Sequence, residues 1–166
     1  MRGLRLLTRQ RSELKGDVAR FKNRMTAYLD QIFPGYGEVF SDVGGSASRA
    51  VLHMCPTPEK LLNADGSLLA KAICEAGNKG PKFGAEKAAK LREAAGSAQV
   101  IGVRSASNAS LIKNVLDIIE GLLAAIQRIE REIKELVTQD TRLDEDVKLL
   151  CSIPGIGFSS AVVIVA

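Results

Sequence analysis

Near one end of this 166-residue sequence, LLCSIPGIGFSSAVVIVA places Pro154-Gly155-Ile156-Gly157 between an apolar turn and a run of small residues. Two glycines at this spacing permit a tight turn and close backbone approach, and the amides that open the next helix can hold a phosphate. Ser159 and Ser160 add hydroxyl donors. The pattern is that of a helix-hairpin-helix element gripping a nucleic-acid backbone independently of base sequence. An ordinary corner between two helices uses the same residues, and both readings stand at this point. A second candidate lies at the opposite end, where Arg2, Arg5, Arg9 and Arg20 fall outside the apolar seam of a long helix. There they can reach phosphates, although a basic helix face also serves as plain solvated surface.

For catalysis the sequence is poor. His53 is the only histidine, so neither a Ser-His-Asp nor a Cys-His arrangement can be completed. His53 and Cys55 form an H-x-C without further ligands, which points to packing and not to a metal. The carboxylates form no metal-binding pattern, and no P-loop or dinucleotide fingerprint occurs. Cys55, Cys74 and Cys151 are odd in number and far apart, as expected for reduced thiols in the cytoplasm. No catalytic residue, metal ligand or cofactor is expected in this chain.

The elements that must position these residues are helical. Hydrophobic residues make up 46% of the chain and aromatics only 4%, with no tryptophan, a profile that favours helices over an aromatic-rich β-sandwich. No apolar run of about 18 residues is present, so no membrane helix is expected. Numbering a heptad from Leu4 puts Leu4, Arg11, Val18, Met25 and Ile32 at a, and Leu7, Leu14, Phe21 and Tyr28 at d. Arg11 alone breaks that seam, which predicts a rod of about 43 Å ending at Phe33-Pro34. A second heptad runs from Ile112 through Val115, Ile119, Leu122, Ile126, Ile129, Ile133, Leu136, Leu143, Val147 and Leu150, broken only by Asp140. Leu116, Ile118 and Leu123 flank its first half and exceed what one partner helix covers. A homo-oligomer through Ile119, Leu122, Ile126 and Ile129 is therefore expected. Residues 1–24 carry eight bases against two acids, while 117–148 carry nine acids against five bases. The basic flanks Lys15, Lys22 and Arg24 match the acidic flanks Glu130, Glu132, Asp144 and Asp146, and Arg11 with Asp140 suggests a register-setting pair.

Between the rods the pattern is of short helices and turns. FPGYGEVFSDVGG reads as a loop with aromatic anchors and ASRAVLHMC as a helix. Thr57 is a helix cap with Pro58 at the first helical position. DGSLLAKAICEAG and GAEKAAKLREAAG read as two helices, each closed by a glycine, around a basic turn NKGPKFG. The fold class is all-α, in four parts: a first coiled-coil helix at 1–33, a small helical insert at 34–108, a second coiled-coil helix at 109–150, and the hairpin segment at 151–166.

In this order the segments resemble an insertion-sequence transposase of the 110/116/902 type, the RNA-guided recombinases. The resemblance runs through LRLLTRQRSELKGDVARFKNRMTAYLDQIFPGYGEVFSD, CPTPEKLLNAD, KFGAEKAAKLREAAGSA, IIEGLLAAIQRIEREIKEL and LLCSIPGIGFSSAVVIVA. It implies a middle piece of such an enzyme, between an acidic RuvC-like domain and a serine-bearing transposase domain, that has neither the acidic tetrad nor the serine. Residues Pro154 to Gly157 correspond to the family's hairpin, and the LTRQR helix to the start of its coiled coil. The resemblance further implies DNA and a structured guide RNA as partners, subunit assembly, Mg²⁺ in the intact enzyme, and a chain inactive alone. The break within AVVIVA is expected of a truncated or partial reading frame. A stand-alone helix-hairpin-helix DNA-binding module and a purely structural coiled coil remain the alternatives.

Overall fold

In the computed structural model of the chain, which describes residues 2–166, every regular element is a helix, as the all-α class requires. Two long helices, α1 (Arg2–Ile32) and α7 (Asn108–Gln139), each contribute to two compact units. One unit combines residues of 1–19 with Gly121–Ala166; the other is Arg20–Glu120.

In the first unit, Leu4 of α1 is buried with Ile129, Ile133 and Val137 of α7. The same core takes in Leu143 and Val147 of α8 (Thr141–Cys151) and Ala161 and Val162 of α9 (Phe158–Val165). Four apolar stripes thus close on one another, which is how amphipathic helices remove their apolar faces from water. The single helix expected over 109–150 is two. Asp140 leaves the helical conformation at φ −108° and ψ 104°, and its carboxylate accepts from the Leu143 amide at 3.2 Å, capping α8. The polar break in the heptad is therefore a cap between helices, and Asp140 is no partner for Arg11. The flanking charges also pair differently from the expectation. Lys22 bonds Asp42 at 2.7 Å, Lys148 bonds Asp144 at 2.5 Å, and Glu130 is taken by Arg11.

The second unit holds the C-terminal part of α1 and the N-terminal part of α7 together with α2 (Tyr36–Val39), α3 (Ser46–Met54), α4 (Pro58–Leu62), α5 (Gly66–Gly77) and α6 (Pro81–Ile101). The aromatic segment expected as a loop contains α2, and Tyr36 is fully buried between Phe33 and Phe40, with ring centroids 5.1 and 5.7 Å away. Its hydroxyl donates to the Ser48 carbonyl at 3.1 Å and lies 3.0 Å from the Ser48 Oγ. Burial pushes the phenol well above its usual pKa. Thr57 caps α4 with Pro58 at its first position, as the sequence predicts. Gly96, by contrast, does not close a helix: α6 runs through Gly84 and Gly96 to Ile101, and the turn before it is only Asn78-Lys79-Gly80. Gly84 lets α5 and α6 approach, since a Cβ there would lie 2.3 Å from both the Ala70 carbonyl oxygen and the Cys74 Sγ.

Candidate nucleic-acid interface

The hairpin is built from the end of α8. Ser152 caps that helix, and the Ile156 amide bonds the Ile153 carbonyl at 3.1 Å. Gly155 turns the chain at φ +91°, in the left-handed region that favours glycine. Gly157 caps α9 with its carbonyl, accepting from Ser160 at 2.9 Å and Ala161 at 3.0 Å. Its φ of −87° is ordinary, and a Cβ there would meet nothing within 4 Å. Only one of the two glycines is thus demanded by the turn. Pro154, Gly155, Gly157, Ser159 and Ser160 are exposed, whereas Ile156 packs partly against the core.

The basic residues divide between the units. Arg2, Arg5 and Arg9 are exposed on α1 in the same unit as the hairpin, and Arg20 is exposed in the other. Arg5 donates to the Ala166 carbonyl at the end of α9, and Arg9 pairs with Glu13 at 3.2 Å one turn along α1. That exposed i,i+4 pair contributes at most about 0.5 kcal/mol, so solvent and ligands compete for Arg9 readily.

Sequence reasoning missed the most organised polar group of this unit. Arg11, the lone polar residue of its seam, is mostly buried, with a side chain only 15% exposed. Its Nε donates to Glu130 Oε1 at 2.6 Å and its Nη2 to Ser159 Oγ at 3.0 Å. Ser159 is therefore held from inside the chain. The group borders a cavity of about 240 Å³ lined by Thr8, Ile133, Lys134, Phe158, Val162 and Val163 together with those three residues. A polar residue in an apolar seam was the signal; the partner could not be foreseen, because α9 comes from far along the chain.

The residues expected to join subunits are placed differently from the expectation. Ile119, Ile126 and Ile129 are 0%, 6% and 8% exposed within a single chain, and Leu122 is half-buried. The apolar surface of the three isoleucines is thus spent on the chain's own core, and only Leu122 of the four keeps part of its side chain exposed. Of the flanking residues, Leu116 is buried, Leu123 half-buried and Ile118 exposed. His53 lies 2.8 Å from Glu120 through Nε2, and Arg49 reaches the same carboxylate at 3.6 Å. Among the described residues no group of three or more His, Cys, Asp or Glu could hold a metal ion. Among the described residues no helix is long and apolar enough to cross a membrane. Comparison with protein-family models, curated proteins and solved structures gives no match to this chain.

Proposed function

We propose that this chain is the nucleic-acid-contacting middle part of a DNA transposase of the insertion-sequence 110/116/902 type, acting in the cytoplasm on DNA and a structured RNA. The order of the five resembling segments motivates the family. The observation that carries the nucleic-acid role is the exposed hairpin at Gly155, which leads into α9 in the same unit as Arg2, Arg5 and Arg9. An exposed turn with small residues lets a phosphate approach the backbone, and the arginines add a sequence-independent attraction. Catalysis belongs, in this reading, to domains carrying the acidic tetrad and the serine, with Mg²⁺ in the intact enzyme. Assembly with further copies is part of the same reading and is checked by sedimentation.

A second reading, a purely structural helical module, is favoured by one observation: Arg5, Arg9, Arg11 and Ser159 all have partners within the chain. Mobility shifts with duplex DNA and with a structured RNA at 50 and 200 mM salt separate the two. Retardation of both ligands that fades at the higher salt supports the transposase reading. A folded chain that retards neither supports the structural one.

A further inference from the structure

The cavity beside Arg11 has a chemistry that backbone contact does not use. One guanidinium fixes both of its polar walls, holding Oε1 of Glu130 and Oγ of Ser159. Each of these groups keeps one further capacity. The carboxylate retains Oε2 as an acceptor, and Ser159, which accepts from Arg11, retains its O–H as a donor. An acceptor and a donor therefore stand side by side, spaced by the fork of a single guanidinium. The remaining wall is apolar, with Ile133 and Val162 buried, and with Phe158 at 39% and Val163 at 59% exposure. Arg11 and Glu130 cancel each other's charge, and Lys134 supplies a cation on the same lining. A volume of about 240 Å³ lies below the roughly 300–1,000 Å³ of drug-sized sites, and suits one planar ring system.

We propose that this cavity receives a single unpaired nucleobase by its Watson–Crick edge. A ring or exocyclic N–H bonds Glu130, the neighbouring carbonyl or ring nitrogen accepts from Ser159, and the ring lies against Phe158 and Val163. Lys134 meets the attached phosphate. In a duplex that edge is already paired, so single-stranded or looped nucleic acid is the form recognised. This inference rests on the nucleic-acid reading above, and adds to it a contact that depends on the base.

The test uses the full chain and three fluorescent 12-mers of equal charge: oligothymidylate, the same strand carrying N3-methylthymine, and an abasic strand. Methylation removes the N–H that Glu130 would accept, and the abasic strand removes the ring altogether. Anisotropy titration should show oligothymidylate bound about tenfold more tightly than either modified strand, within the range of two hydrogen bonds plus one stacked base. All three should share one salt slope, because their phosphates are the same. Ser159→Ala and Glu130→Gln should each shrink the tenfold ratio, with circular dichroism confirming that the variants fold. Equal affinity for the three strands overturns the base pocket and leaves backbone binding intact. A ratio that survives both substitutions places base recognition elsewhere and overturns the pocket equally. Binding to none of them overturns the pocket, and the mobility shift with duplex DNA then decides the backbone reading by itself.

Discussion

Two glycines of α6 should respond to the same substitution with opposite sign. At Gly84 an added Cβ would sit 2.3 Å from the Ala70 carbonyl oxygen and 2.3 Å from Cys74 Sγ, and 3.1 Å from the Ala70 carbonyl carbon. Cys74 can rotate, but the carbonyl belongs to the backbone of α5, so the two helices must separate by about an ångström. Overpacking of this kind costs roughly 1–3 kcal/mol, and contact with backbone argues for the upper end. Replacing a helical glycine with alanine returns about 1 kcal/mol, leaving Gly84→Ala destabilised by about 2 kcal/mol. Gly96 lies on the exposed side of the same helix with nothing within 4 Å of its would-be Cβ. Gly96→Ala should therefore stabilise by roughly 0.5–1 kcal/mol. Urea unfolding followed by circular dichroism at unchanged m-value reads both changes as shifts in midpoint. A neutral or stabilising Gly84→Ala would refute the close approach of α5 and α6. A destabilising Gly96→Ala would mean that the helix ends there after all, as the sequence alone suggests.

The hairpin gives a similar contrast: Gly155→Ala should lose about 1 kcal/mol or more because its φ is +91°, while Gly157→Ala should lose much less, as thermal unfolding can show. Asp140→Ala removes the cap of α8 and should lower stability by about 1 kcal/mol, whereas Asp140→Asn and Asp140→Ser should retain most of it. Alkaline unfolding tests the buried phenol. Tyr36 stays protonated in the folded chain above the pH at which the unfolded chain ionises it, so stability should fall as pH rises past about 10. Tyr36→Phe should flatten that fall while lowering stability at neutral pH by about 1–2 kcal/mol through loss of the bonds to Ser48.

The heptads were legible as helices, but their register carried only part of the way. Leu4, Val18, Met25 and Ile32 are buried as predicted, yet Leu29 is buried beside them where Tyr28 was expected, and Tyr28 is only half-buried. In α7 the buried residue after Ile133 is Val137, and Leu136 is 39% exposed. Leu4 and Leu29 stand 25 residues apart, as do Ile112 and Val137. That is about seven turns at 3.6 residues per turn, which brings the two residues of each pair back to one face of their helix. A strict heptad drifts from that period by about 20° per repeat, and over three and a half repeats the buried face moves on by most of one residue. The cap at Thr57-Pro58 could be read because its signal is local. Gly84 and Gly96 look alike in sequence, and only the facing helix α5 distinguishes a close contact from an open one. Arg11 was visible as an anomaly, but its partners Glu130 and Ser159 are fixed by packing in three dimensions.

The claim that this chain contacts nucleic-acid backbone is tested most directly by the salt dependence of its binding to a labelled duplex. Log affinity should fall linearly with log salt, with a slope of at least about two in magnitude if the hairpin and the α1 arginines each neutralise one phosphate or more. Arg2→Gln with Arg9→Gln should reduce that slope by up to roughly two units with only a small shift of the unfolding midpoint, since both side chains are exposed and the Arg9–Glu13 pair contributes at most about 0.5 kcal/mol. A folded chain that fails to bind at 50 mM salt, or binds with no dependence on salt, would contradict the account.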